Sequence, residues 1–150
     1  MLTTNKVEET YTVEDFIELG KDIDDIQYYK FTILSKASRD AVNPILYAEH
    51  NVIYDYEEEF KQLAETVEMT DSEFNKYKYK PKLLAYDLYG STEFFFAILF
   101  INGMYSIKDF DKRNIKLIRK SAMSELLTAI YNAERNYLSA NRSAIGYTGQ

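Results

Sequence analysis

The residue types able to carry chemistry are scarce in this chain, and their spacing does not favour it. Its 150 residues include one histidine, His50, and no cysteine. A zinc site draws three or four ligands from Cys, His and carboxylates, and His50 with Glu49 and Asp55 does not match a known ligand spacing. Without thiols there is no Cys nucleophile, no thiolate metal site and no disulfide framework. The run Glu57, Glu58, Glu59 offers three carboxylates. Helical neighbours stand about 100° apart, so the three cannot converge as an acid/base pair. No G-x-S-x-G, P-loop or G-x-G-x-x-G motif occurs. No Ser or Thr can be assigned a base, and nothing selects two carboxylates flanking a cleft. The chain is therefore expected to be no enzyme, with no cofactor and no metal.

Charge is the other resource. The net charge is −6 and the pI near 4.9. Acidic residues crowd one stretch: Glu49, Asp55, Glu57, Glu58, Glu59, Glu65, Glu68, Asp71 and Glu73, with Lys61 as its one cation. The plain reading is a solvated helix face, the sharper one a docking surface for a basic partner. Downstream lie Lys108, Lys112, Arg113, Lys116, Arg119 and Lys120, six cations against Asp109 and Asp111, a net +4. This cluster lacks the interleaved aromatics that stack on single-stranded nucleic acid. An acidic chain also has no global attraction to nucleic acid or an anionic membrane. Solvated surface is again the plain reading. Pairing with the acidic 49–73 segment of another copy or another subunit is the sharper one.

The elements that must position these groups follow from caps and periodicity. Thr12 caps a short helix over Val13–Leu19, with Glu14 and Asp15 in its first turn and Gly20 at its end. IQYYKFTIL, Ile26 to Leu34, reads as a strand. Asn43-Pro44 breaks the chain, and Ile45 to Tyr56 fits either state. Tyr56 to Val67 reads as a helix with Phe60, Leu63, Ala64 and Val67 on one stripe. Phe74 to Tyr79 alternates Lys76, Lys78 and Lys80 with Tyr77 and Tyr79, which predicts a strand. Pro81 suits the first turn of a helix that carries Leu83, Leu84 and Leu88 and stops at Gly90. Ser91 or Thr92 caps the next helix, which takes in FFFAILFI, Phe94 to Ile101, and ends at Asn102-Gly103. Eight apolar residues fall well short of the roughly 20 that span a membrane. FFFAILFI is read as core.

Asn114 to Arg119 alternates and reads as a strand, and Ser121 to Asn141 as a long amphipathic helix. In that helix Met123, Leu126, Leu127, Ile130, Ala133, Tyr137 and Leu138 recur at helical steps. The tail SAIGYTGQ reads as loose. The N-terminus, MLTTNKVEETYTVEDF, is acidic without an apolar stretch and does not read as a signal peptide. Tyr and Phe number 14 and 9, with no Trp, a composition that serves interfaces as well as cores. The expected fold class is α+β. Its organisation is an N-terminal arm or subdomain over 1–73, a βααβ core over 74–120, and a terminal helix with its tail over 121–150.

The strand–helix–helix–strand order, with L-A-x-x-L-Y-G leading to an Asn twelve residues after the Gly, resembles a LysM-type βααβ module. The motif residues are Leu84, Ala85, Leu88, Tyr89, Gly90 and Asn102, packed by Phe95, Ile98 and Leu99. EFFFAILFIN after Tyr-Gly, and IKLIRKS running into a terminal helix, are similar to the LysM-like baseplate wedge subunit of contractile-tail bacteriophages. The resemblance spans about Tyr77 to Asn141, a little under half the chain.

That family implies a structural virion protein of the phage tail baseplate, assembled in the host cytoplasm and without catalytic activity. Such a subunit clamps or joins neighbouring wedge and hub proteins around the tail hub. The competing reading is a peptidoglycan-binding LysM module of a tail or cell-wall protein. Sugar-binding LysM modules carry a Gly-Asp-Thr-like turn before the first helix, whereas here the turn is Lys80-Pro81-Lys82. That departure points away from peptidoglycan and toward protein partners. Neither nucleic acid nor membrane is expected as a partner. The terminal helix, through Leu127, Ile130, Tyr131, Tyr137 and Leu138, docks on a partner or folds back on the core, and both remain open at this point.

Overall fold

Helix α1 (Val13–Leu19) forms as its caps predict. The Thr12 hydroxyl accepts the Asp15 N–H at 3.1 Å, and the Asp15 carboxylate accepts the Thr12 N–H at 2.9 Å. This reciprocal box closes two of the donors a helix start leaves open. Val13 and Phe16 turn inward and are fully buried. The computed structural model describes residues 10–26 and 55–144, and for 134, 135 and 137–144 the helical backbone only. Apart from Ile26 and the Asp55–Tyr56 end, the strand expected over Ile26–Leu34, the break at Pro44, the ambiguous 45–56 stretch and His50 lie outside it. Of the tail, Ser143 and Ala144 close the last helix, and 145–150 lie outside.

Two expectations are corrected. The helix predicted over Tyr56–Val67 ends early: α2 spans Glu57–Leu63, and Ala64 is already extended (φ −75°, ψ 137°). Glu65–Glu68 is strand β1, so Val67 reaches the core from a strand. Its partner decides this, since β1 pairs antiparallel with β2 (Asn114–Leu117), Val67 opposite Ile115 and Thr66 opposite Lys116. A four-residue strand is defined by that long-range pairing and leaves little periodicity to read.

The strand predicted over Phe74–Tyr79 is instead helix α3 (Asp71–Tyr77). Thr70 and Glu73 form a second capping box: the Thr70 hydroxyl accepts the Glu73 N–H, and the Glu73 carboxylate accepts the Thr70 N–H, both at 3.1 Å. Lys76 and Lys78 face solvent from a helix end and a turn. Their alternation with tyrosines carries no strand. The order between the paired strands is consequently three helices, not two.

From Pro81 onward the elements fall where the caps place them. Helix α4 spans Pro81–Tyr89 and ends at Gly90 in the left-handed conformation (φ 94°). A β-carbon at Gly90 would overlap the Asp25 side chain as well, so the position needs glycine twice over. The Ser91 hydroxyl accepts the Glu93 N–H at 3.1 Å and opens a single 3₁₀ turn, Thr92–Phe94, that runs into α5 (Phe95–Ile101). Gly103 (φ 67°) follows its end. Helix α6, Lys120–Ala144, closes the chain.

The described residues thus make a mixed α+β fold, six α-helices and one two-stranded antiparallel sheet. Each of these elements contributes to one apolar cluster. It takes Phe16 from α1, Phe60 from α2, Val67 and Ile115 from the sheet, Tyr77 from α3, Leu84 and Leu88 from α4, Ile98 from α5 and Ile130 from α6. No described helix is long and apolar enough to cross a membrane.

Candidate functional site

The motif residues occupy two faces of one joint. Leu84, Ala85, Leu88 and Tyr89 are buried along α4, and Ile98 and Leu99 along α5, with Phe95 half-buried beside them. The Tyr89 hydroxyl donates to the Ile118 carbonyl just past β2, and burial pushes the phenol well above the usual tyrosine range. Asn102 closes the joint. Its amide donates to the Ile98 carbonyl at 2.8 Å and the Lys116 carbonyl at 2.9 Å, while its oxygen accepts the Lys116 N–H at 2.8 Å. One side chain therefore ends α5 and fastens it to the outer edge of β2.

A second joint was not visible in the sequence. Glu73, 7% exposed, accepts the Val13 and Thr70 N–H groups on Oε1 and the Glu14 N–H on Oε2, at 2.9 to 3.1 Å. Its carboxylate caps α1 and α3 together. Thr70-x-x-Glu73 was a legible signal for α3 alone. The link to Val13, 60 residues away, left no local mark. Nearby, Tyr77 donates to Asp87 at 2.8 Å, and burial followed by that carboxylate raises its phenol out of the normal range.

The basic cluster takes partners inside the chain. Arg113 meets Asp71 at 2.6 Å, and Arg119 meets Glu65 through Nε at 2.7 Å and through a second nitrogen at 3.1 Å. The Glu65 hydrogen bond is the largest influence holding the Arg119 guanidinium above its ordinary value. Arg119 also lies over the Tyr11 ring at 5.1 Å and Phe16 at 5.8 Å. Lys120 pairs with Asp25 at 3.0 Å. Two of the six cations thus meet the acidic 49–73 segment of their own chain.

Of the candidate interface residues, Leu127 and Ile130 are buried in the chain's own core and Tyr131 packs partly against it. Along this stretch α6 folds back. Tyr137 and Leu138 lie where only the backbone is described. Large apolar side chains are exposed at the 78–80 turn and the 103–110 loop, where Tyr79 is 47% exposed, Tyr105 96% and Ile107 42%, and also on helices α1 and α4, at Leu19 and Tyr86. Tyr79 is the one described non-glycine residue with positive φ, 60°, and nothing in its sequence context signals that.

Among the described residues no buried side-chain nitrogen or oxygen lacks a partner, and no group of three His, Asp or Glu side chains converges to hold a metal. The polar side chains at the joints, Glu73, Asn102, Tyr89 and Tyr77, hold elements together. What the arrangement offers chemically is a braced scaffold with aromatic and cationic loops at its surface. No protein-family model, characterised protein or solved structure matches this chain.

Proposed function

We propose that the chain is a non-catalytic assembly protein, a LysM-like component of a contractile-tail baseplate wedge that joins neighbouring wedge and hub subunits in the virion. The observation that carries this reading is the Asn102 joint. The motif that resembles the family, Leu84 to Asn102, is spent on bracing: Gly90 turns the chain between α4 and α5, and Asn102 fastens α5 to β2. A braced frame with tyrosines at its loops suits contacts between protein surfaces, where Tyr is enriched and preorganisation limits the entropy lost on binding. Neither the Lys80-Pro81-Lys82 turn, which joins α3 to α4, nor Met69-Thr70, which follows strand β1, has Gly-Asp, and this supports protein over sugar.

Co-expression with the products of adjacent reading frames, followed by size-exclusion chromatography with light scattering, tests the reading. A stable complex of defined stoichiometry is expected. A chain that stays monomeric in every such mixture overturns it, and retention on insoluble peptidoglycan would transfer the chain to the sugar-binding reading.

A further inference from the structure

Charge in this protein is segregated along the chain. Segments 76–82 and 108–120 hold ten of its 18 basic residues and two of its 24 acidic ones. The fold brings parts of the two together. The Tyr79 N–H donates to the Phe110 carbonyl at 2.8 Å, which sets the 78–80 turn against the end of the 103–110 loop. Lys78 and Arg113 share the Phe74 ring, at 5.4 and 4.6 Å from its centroid, and Lys78 also lies 5.2 Å from the Tyr79 ring.

The 103–110 loop is held in one shape from within. The Asp109 carboxylate accepts the Tyr105 N–H at 2.9 Å and the Ser106 N–H at 3.2 Å, and Met104 N–H returns to the Leu99 carbonyl. One oxygen of that carboxylate, Oδ2, takes both N–H groups, while Tyr105 and Ile107 stand outward and Lys78, Lys80 and Lys108 are exposed. The neighbouring acids, Asp71 and Asp111, sit on Arg113 and Lys112. The result is a preformed end, cationic with aromatic anchors, on a chain that is acidic elsewhere. Tyr side chains presented on a held backbone are the kind of anchor that concentrates binding energy.

We propose that this end docks onto acidic helix α2 of a second copy of the chain. Glu58 and Glu59 are exposed on that helix, in a sequence whose local charge is opposite. Because the basic end and the acidic helix are different patches, the contact is heterologous, and a pair leaves one basic end free on one copy and one acidic helix free on the other, to continue a ring or a chain. The inference is independent of the baseplate reading.

Sedimentation velocity of the full chain over a concentration series tests it. Association is expected in about 0.01 M salt and should fade toward about 1 M, as the screening length shrinks from about 30 Å to about 3 Å. The double variants K78E/K80E and E58K/E59K should each stay monomeric, and mixing them should restore a complex, because each supplies the patch the other lost. Tyr105→Ala should weaken association by about tenfold with an unchanged far-UV circular dichroism spectrum. A monomer at every concentration in low salt overturns the proposal, as does association indifferent to either charge reversal or a mixture that stays monomeric. Binding of a single-stranded oligonucleotide, lost in K78E/K80E and unaccompanied by self-association, would overturn it in favour of nucleic acid.

Discussion

Glu73 and Asn102 do the same work at two joints, yet one is a buried carboxylate and the other a half-buried amide. The backbone each one meets explains the difference. Glu73 faces the starts of α1 and α3, which present only N–H groups and the positive end of the helix dipole. A carboxylate's two acceptor oxygens answer that set completely. Asn102 faces the end of α5 and the edge of β2, which present two carbonyls and one N–H. Only a group with both donors and an acceptor satisfies them. The chemistry of a linking residue is thus dictated by what the secondary structure leaves unpaired where it stops.

The largest effect should come from breaking the charged joint. Glu73→Ala strands three N–H groups, one of them buried, and should cost about 3–5 kcal/mol. That corresponds to a drop of about 10 °C in Tm by calorimetry. Glu73→Gln keeps one acceptor oxygen but turns a donor toward an N–H, and should lose about 2 kcal/mol. Equal losses for the two variants would mean that the oxygen glutamine keeps contributes nothing, and a glutamine variant as stable as the parent would mean the same of the oxygen it replaces.

At the neutral joint the order of substitutions inverts. Asn102→Asp should destabilise by about 2 kcal/mol, more than Asn102→Ala at about 1 kcal/mol, because a carboxylate set against the Ile98 and Lys116 carbonyls repels where the amide donated. Urea midpoints would settle the ranking. If the alanine variant is the less stable, the amide is not donating to those carbonyls.

Tyr89→Phe removes a buried hydroxyl from the same joint and leaves the Ile118 carbonyl unpaired, for about 1 kcal/mol. It also gives the joint a pH signature. The folded phenols of Tyr77 and Tyr89 titrate above their unfolded value of 10.0. Their contribution is fully present below pH 10 and falls as pH climbs from there toward the folded values. Alkaline unfolding followed at 295 nm should therefore begin above about pH 10 and be shallower in the double variant Y77F/Y89F. The smallest effect is a gain: Tyr79→Gly should relieve the left-handed backbone and add a few tenths of a kcal/mol.

Legibility followed locality. The helix starts at Thr12, Pro81 and Ser91, the stops at Gly20, Gly90 and Gly103, and the alternation of Asn114 to Arg119, of which Asn114–Leu117 is strand, were all written within a few residues. Strand β1 was hidden because ETVE becomes a strand only opposite residues 114–117, some 50 positions later. Helix α3 was misread because lysines alternating with tyrosines outweighed a cap that was present in Thr70 and Glu73. Among the motif residues, Gly90 could be placed as a turn from sequence, and Asn102 could be placed as a stop. That Asn102 also binds a strand, that Glu73 serves two helices, and that Tyr79 is left-handed are consequences of packing, which no neighbour announces.

The two-stranded sheet has one more property. The Glu68 N–H, on the side of β1 away from β2, is taken by the Tyr11 carbonyl, and on the far side of β2 both backbone groups of Lys116 are taken by Asn102. A short ribbon with open flanks is a template onto which identical chains add strand by strand into amyloid. Here a stretch of backbone guards one flank and a single amide the other. Crowded copies of this chain can therefore meet through side chains without their ribbons fusing.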